Sequence, residues 1–219
     1  MPYQVEHIDP HKTALIIVDM ENDFLEPGAP LETPAGRTMV PTLKRVLSFC
    51  REQGVPVIYT THAHRRDGCD MGRFADLWPQ VRNRTGLVDG EPGIEIYPEL
   101  APRADEIVIK EHRYSAFYGT DLEIILRGLG VETVVITGVT TENCCHATAR
   151  DALFRDYKVV FLSDATATFD YPDVGQGKMS ADEVHRATLV ILAVSTAHVM
   201  TADEFIARTS TMQNLAAAG

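Results

Sequence analysis

Three residues of complementary chemistry stand just past the carboxyl ends of three apolar runs: an acid, Asp19, an amine, Lys110, and a thiol, Cys144. A thiol with a pKa near 8.5 is a weak nucleophile at neutral pH, and a helix N-terminus and a neighbouring ammonium both stabilise its thiolate. Cys144 sits where a helix begins, and Lys110 would supply the cation. Asp19 would accept the thiol proton and return it to a leaving amine. Backbone N–H groups of the turn at 138–144 would hold the oxyanion of a tetrahedral intermediate. Singly, each residue has an ordinary role: Asp19 bonding its own turn, Lys110 solvated at a strand end, Cys144 a small buried hydrophobe. Their joint placement favours the chemical reading.

The elements that must position them alternate in type. Short apolar runs at 13–18, 55–60, 106–109, 133–137 and 158–162, with a shorter one at 196–200, read as strands buried on both faces. Helical spacing marks 38–52, 121–127, 142–156, 180–194 and 202–208. Ser180 followed by Glu183 forms a capping-box signature. The stretch 61–103 reads as a long irregular connection, the kind that usually carries function. This order predicts one α/β domain over 1–219, a doubly wound parallel sheet with helices on both faces. In such sheets function gathers at the carboxyl ends of the strands. Convergence of the three residues depends on strand order, which spacing alone does not give.

Composition narrows the function class. The chain has 219 residues and a formal net charge of −11, which disfavours nucleic acid as a partner. No apolar run approaches the roughly 20 residues that span a bilayer. The first residues lack the basic and apolar regions of a signal peptide, so the expected location is cytoplasmic. Cys50, Cys69, Cys144 and Cys145 are then expected as free thiols.

The segments around the three residues resemble one family. Ile17-Val18-Asp19-Met20-Glu21-Asn22-Asp23-Phe24 resembles the V-D-M-Q-N-D-F signature of the isochorismatase-like superfamily. Lys110, in Ile109-Lys110-Glu111-His112-Arg113-Tyr114-Ser115-Ala116-Phe117, resembles its K-x-x-x-S-A-F motif. Gly138-Val139-Thr140-Thr141-Glu142-Asn143-Cys144 resembles its G-V-x-T-x-x-C nucleophile turn. The matches run in family order and point to the cysteine hydrolase branch, with its nicotinamidases and its N-carbamoylsarcosine, ureidoacrylate and biuret amidohydrolases.

The resemblance implies a three-layer α/β/α, Rossmann-like fold around a six-stranded parallel sheet, with Asp19, Lys110 and Cys144 converging as a triad. It implies thioester chemistry without a cofactor, a cis peptide between Val139 and Thr140, and an oxyanion hole from the N–H groups of Thr140 and Cys144. Register selects Cys144 over Cys145, which would turn away into the core. Phe24, Trp78 and Phe117 are expected to wall the pocket. His185, on an amphipathic helix, reads as structural. Nicotinamidases carry a metal site with an Asp-x-His pair after the second strand. Here Thr60-Thr61-His62-Ala63-His64 departs from it; His62 and His64, two apart, could ligate a metal, but read rather as strand-end or loop histidines, and no metal ligand is assigned. The expected substrate is a small amide or, by analogy, a ureide or carbamoyl compound. The alternatives are vinyl-ether hydrolysis of the isochorismatase type and a non-catalytic binding member of the fold. A homodimer or homotetramer is the expected assembly.

Overall fold

The structure, a computed structural model, describes residues 3–216. Six strands and five longer helices alternate: β1 (Thr13–Val18), α1 (Pro34–Glu52), β2 (Val57–His62), β3 (Ile107–Glu111), α2 (Leu122–Gly128), β4 (Thr133–Val139), α3 (His146–Phe154), β5 (Lys158–Ala167), α4 (Ala181–Ser195), β6 (His198–Met200) and α5 (Ala202–Ala216). All pairings are parallel, in the order β3-β2-β1-β4-β5-β6. The chain winds outward from β1 to one edge, then returns to β4 and winds to the other. The crevice between the carboxyl ends of β1 and β4 is therefore a topological switch point, where open α/β sheets place their ligands.

The continuous apolar character of β1 follows from its place in the middle. Leu15 and Ile17 enter the core on one face, packed with Val40, Leu43 and Leu47 of α1 and Phe205 of α5. Ala14, Ile16 and Val18 enter the core on the other, with Leu122 and Leu126 of α2, Ala149 of α3 and Leu192 of α4. Each fully buried Leu or Ile contributes roughly 1.5–3 kcal/mol, so β1 anchors both layers.

Several boundaries differ from the sequence-based expectation. Helix α1 begins four residues early because Pro34 fits the first helical turn, where a missing N–H costs nothing. β5 continues to Ala167, five residues past its apolar core, with a register shift opposite 136–138 of β4. The segment 61–103 is not structureless: it contains helical turns at Phe74–Leu77 and Pro79–Arg82, and Glu21 bridges Ile96 antiparallel. The capping box at Ser180 and Glu183 is complete.

Candidate active site

Asp19 ends β1 in a left-handed conformation, φ 49°, and is fully buried. Its backbone N–H donates to Thr60, and the Thr60 hydroxyl donates back to its Oδ1 at 2.7 Å. On the other side of the crevice β4 passes through Gly138, one residue before its end, with φ 109°. A Cβ there would lie 2.0 Å from the Val18 carbonyl oxygen, so only glycine lets the two strand ends approach this closely. The Val139–Thr140 peptide is cis. The chain then makes one wide turn, Thr141–Cys145, of π type before α3. Cys144 is buried in this turn and lines a cavity with Thr140 and Asn143. The Cys145 thiol points elsewhere, toward the Thr137 carbonyl at 3.7 Å.

The lysine does not join them. Lys110 lies on the outward face of edge strand β3, its side chain 51% exposed and paired with Asp89 at 2.6 Å. Its neighbour Glu111 is the residue that turns inward, fully buried. The pleat explains the exchange: successive side chains alternate faces, and Glu111 stands in register with the buried His62 on β2 while Lys110 stands beside Thr61. Motif spacing agrees once counted from its serine. K-x-x-x-S-A-F sets its first residue four before the serine, and four before Ser115 is Glu111. The lysine position of the motif is occupied here by a glutamate.

Asp19, His62, Glu111 and Cys144 thus converge, each offering one donor atom, all within 4.8 Å of one another. Asp19 Oδ2 and both Glu111 oxygens are buried without a hydrogen-bond partner from outside this cluster. Burial pushes the Asp19 carboxyl up, and burial together with the Asp19 charge pushes Glu111 well up. The Cys144 thiol is also pushed well up, by burial and then by Asp19 and Glu111. This reverses the expected lowering, because the expected ammonium is absent. Burial, then His64, His112 and Arg113, pull His62 down to about 3, so its imidazole is neutral.

The cavity above Cys144 is small and its lining is largely apolar. Phe24 and Trp78 line it, together with Phe74, Leu87, Tyr114 and Phe169. The Trp78 indole N–H donates to the Tyr114 hydroxyl at 2.9 Å, which fixes one wall. Phe117 is not among the lining residues: it packs in the core near Tyr157, with Arg155 over its ring. Its motif holds the site together from behind. Ser115 donates to Asp151 of α3, and the Ala116 N–H donates to Thr148 of α3 at 3.0 Å. The loop after β3 is thereby tied to the helix that follows the Cys144 turn. Phe74, Leu87, Tyr114 and Phe169 lie in connections without periodicity, and no sequence signal marked them.

Comparison with known proteins agrees with this architecture. The isochorismatase domain model matches residues 13–204. A cysteine hydrolase from Pseudomonas syringae pv. phaseolicola 1448A superimposes with a TM-score of 0.92 at 38% identity, covering 96% of this chain and 98% of that one. A protein of Arabidopsis thaliana, named a probable inactive nicotinamidase, is 36% identical over 157 residues, 71% of this chain and 80% of that protein. A ureidoacrylate amidohydrolase from Serratia proteamaculans is 31% identical over 174 residues, 72% of this chain and 70% of that protein. With the switch-point thiol and acid in place, the chain belongs to the isochorismatase family, among its cysteine hydrolases, a group that includes amidases.

Proposed function

We propose that the protein is a thiol-dependent hydrolase of a linear C–N bond in a small, uncharged amide or ureide. The observation that carries this reading is Cys144 on the floor of an apolar cavity with Asp19 beside it. Burial and mutual repulsion keep one proton on the Asp19–Glu111 pair, which leaves one carboxylate to serve as base. Cys144 Sγ attacks the carbonyl carbon as its proton passes to Asp19. The N–H groups of Thr140 and Cys144 receive the oxyanion. Collapse breaks the C–N bond, the amine leaves with the proton from Asp19, and water hydrolyses the thioester to return the thiol. The lining around Cys144 includes no lysine or arginine, which favours an uncharged substrate over an N-carbamoyl amino acid.

The test is ammonia or amine release from a panel of aromatic and aliphatic amides, biuret and ureidoacrylate. Each is run with wild type, Cys144→Ala and Cys144→Ser. Release that is abolished in both variants supports the reading. Activity that survives in Cys144→Ser, or silence across the panel with Cys144 inert to iodoacetamide at neutral pH, overturns it.

A further inference from the structure

The cluster at the switch point contains more negative charge than thiol chemistry requires. In the motif that Ser115-Ala116-Phe117 closes, the position of Glu111 belongs to a lysine, a cation that would balance Asp19 and a thiolate. In this chain the same position adds a second carboxylate. The result is two carboxylates, a thiol and an imidazole, all buried, with one donor atom from each within 4.8 Å of the others. A second, independent observation concerns their hydrogen bonds. Asp19 Oδ2, Glu111 Oε1 and Glu111 Oε2 are buried acceptors with no hydrogen-bond donor from outside the cluster. Buried acceptors are normally satisfied, and acceptors converging from two strands are satisfied together by a cation. Cys144 and His62 also line the cavity, which gives an ion a way in.

We propose that Asp19, His62, Glu111 and Cys144 bind one transition-metal dication, and that Glu111 at the lysine position creates the site. The donor set of one sulfur, one nitrogen and two oxygens suits Zn²⁺ or Co²⁺. Mg²⁺ and Ca²⁺ prefer oxygen alone. Binding forms the sulfur–metal bond and releases to solvent both the thiol proton and the proton shared by Asp19 and Glu111. The metal-loaded thiolate is no longer a free nucleophile, so the ion switches the thiol off. The site rests on donor geometry and not on the hydrolase reading, so the two fail separately.

The experiment is a Co²⁺ titration of chelator-stripped protein in a Cys69→Ser background, which removes the exposed thiol. The readouts are sulfur-to-cobalt charge-transfer absorption and the rate of Cys144 alkylation by iodoacetamide. The expected result is one equivalent bound, a thiolate band that Zn²⁺ displaces, and slower alkylation. The band is lost in Cys144→Ala and in Glu111→Lys. The isosteric Glu111→Gln binds at least about tenfold more weakly, since even outer-shell changes cost that much. His112→Ala, in the neighbouring group of His64, Asp70 and His112 that meets the site through the His62–His64 contact at 3.2 Å, removes no proposed ligand and keeps the thiolate band. Circular dichroism checks that each variant is folded. Absence of a thiolate band in wild type overturns the proposal. So does a band that survives both Glu111 variants unweakened, or one that depends on His112. These readouts need no substrate, so a silent amide panel leaves them decisive.

Discussion

Lys110 and Glu111 are adjacent in the chain and lie on opposite faces of an edge strand. The exposed pair of Lys110 with Asp89 contributes ~0–1 kcal/mol, and nothing connects it to the cavity. Lys110→Ala is therefore expected to keep kcat/KM within about twofold and stability within about 1 kcal/mol. Glu111→Gln removes the proton-sharing partner of Asp19 and is expected to lower kcat/KM at least tenfold, about 1.4 kcal/mol in the transition state. Kinetics of the two variants on the best substrate of the panel decide the matter, and equal effects would return Lys110 to the site. At this scale the sequence shows Asp19 and Cys144 clearly, because each follows a buried apolar strand. It hides Glu111 because a slip of one residue along a strand exchanges its faces. The lysine was the familiar residue type at that place, and only the count back from Ser115 corrects it.

At the scale of elements, the Thr141–Cys145 turn is held by a helix that does not line the cavity. His185 of α4 accepts a hydrogen bond at Nδ1 from the Thr141 hydroxyl, 2.8 Å, and donates from Nε2 to the Ser163 carbonyl, 2.9 Å. The bond accepted from Thr141 needs the neutral ring, and burial pulls its pKa down. The folded state then binds fewer protons than the unfolded chain, whose histidine titrates near 6.5. This contribution is present above that pH and is lost as pH falls. Wild type should therefore lose stability faster than His185→Gln between about pH 7 and about pH 5, with the other histidines common to both. Urea melts at matched pH measure this, and parallel profiles would sink the assignment. The strands and the capping box that carry this arrangement are legible in the sequence because periodicity marks them. The π turn at Thr141–Cys145 and the pocket wall from 61–103 are not, because tertiary contacts rather than local pattern shape them.

At the scale of the whole molecule, −11 net charge coexists with an apolar surface that no neighbouring element covers. Val190, Ile191 and Val194 of α4 are 58%, 47% and 73% exposed. With α4 buried on one side through Val184, Thr188 and Leu192, its other face presents branched aliphatic side chains where a surface helix normally carries charge. Among the described residues no helix is long and apolar enough to cross a membrane. The dimer or tetramer that the family resemblance implies would account for that apolar face, with a second copy of the chain seated on α4 in closed symmetry. A closed two-fold contact repeats the same patch on both copies, so one substitution acts twice. Val194→Glu places two like charges in a shared apolar contact and leaves the α4 core residues untouched. Light scattering should give a mass at least twice that of one chain for the wild type, and a monomer mass for Val194→Glu with an unchanged circular dichroism spectrum. A monomeric wild type would remove α4 as an interface. A variant that stays assembled would move the contact to another face.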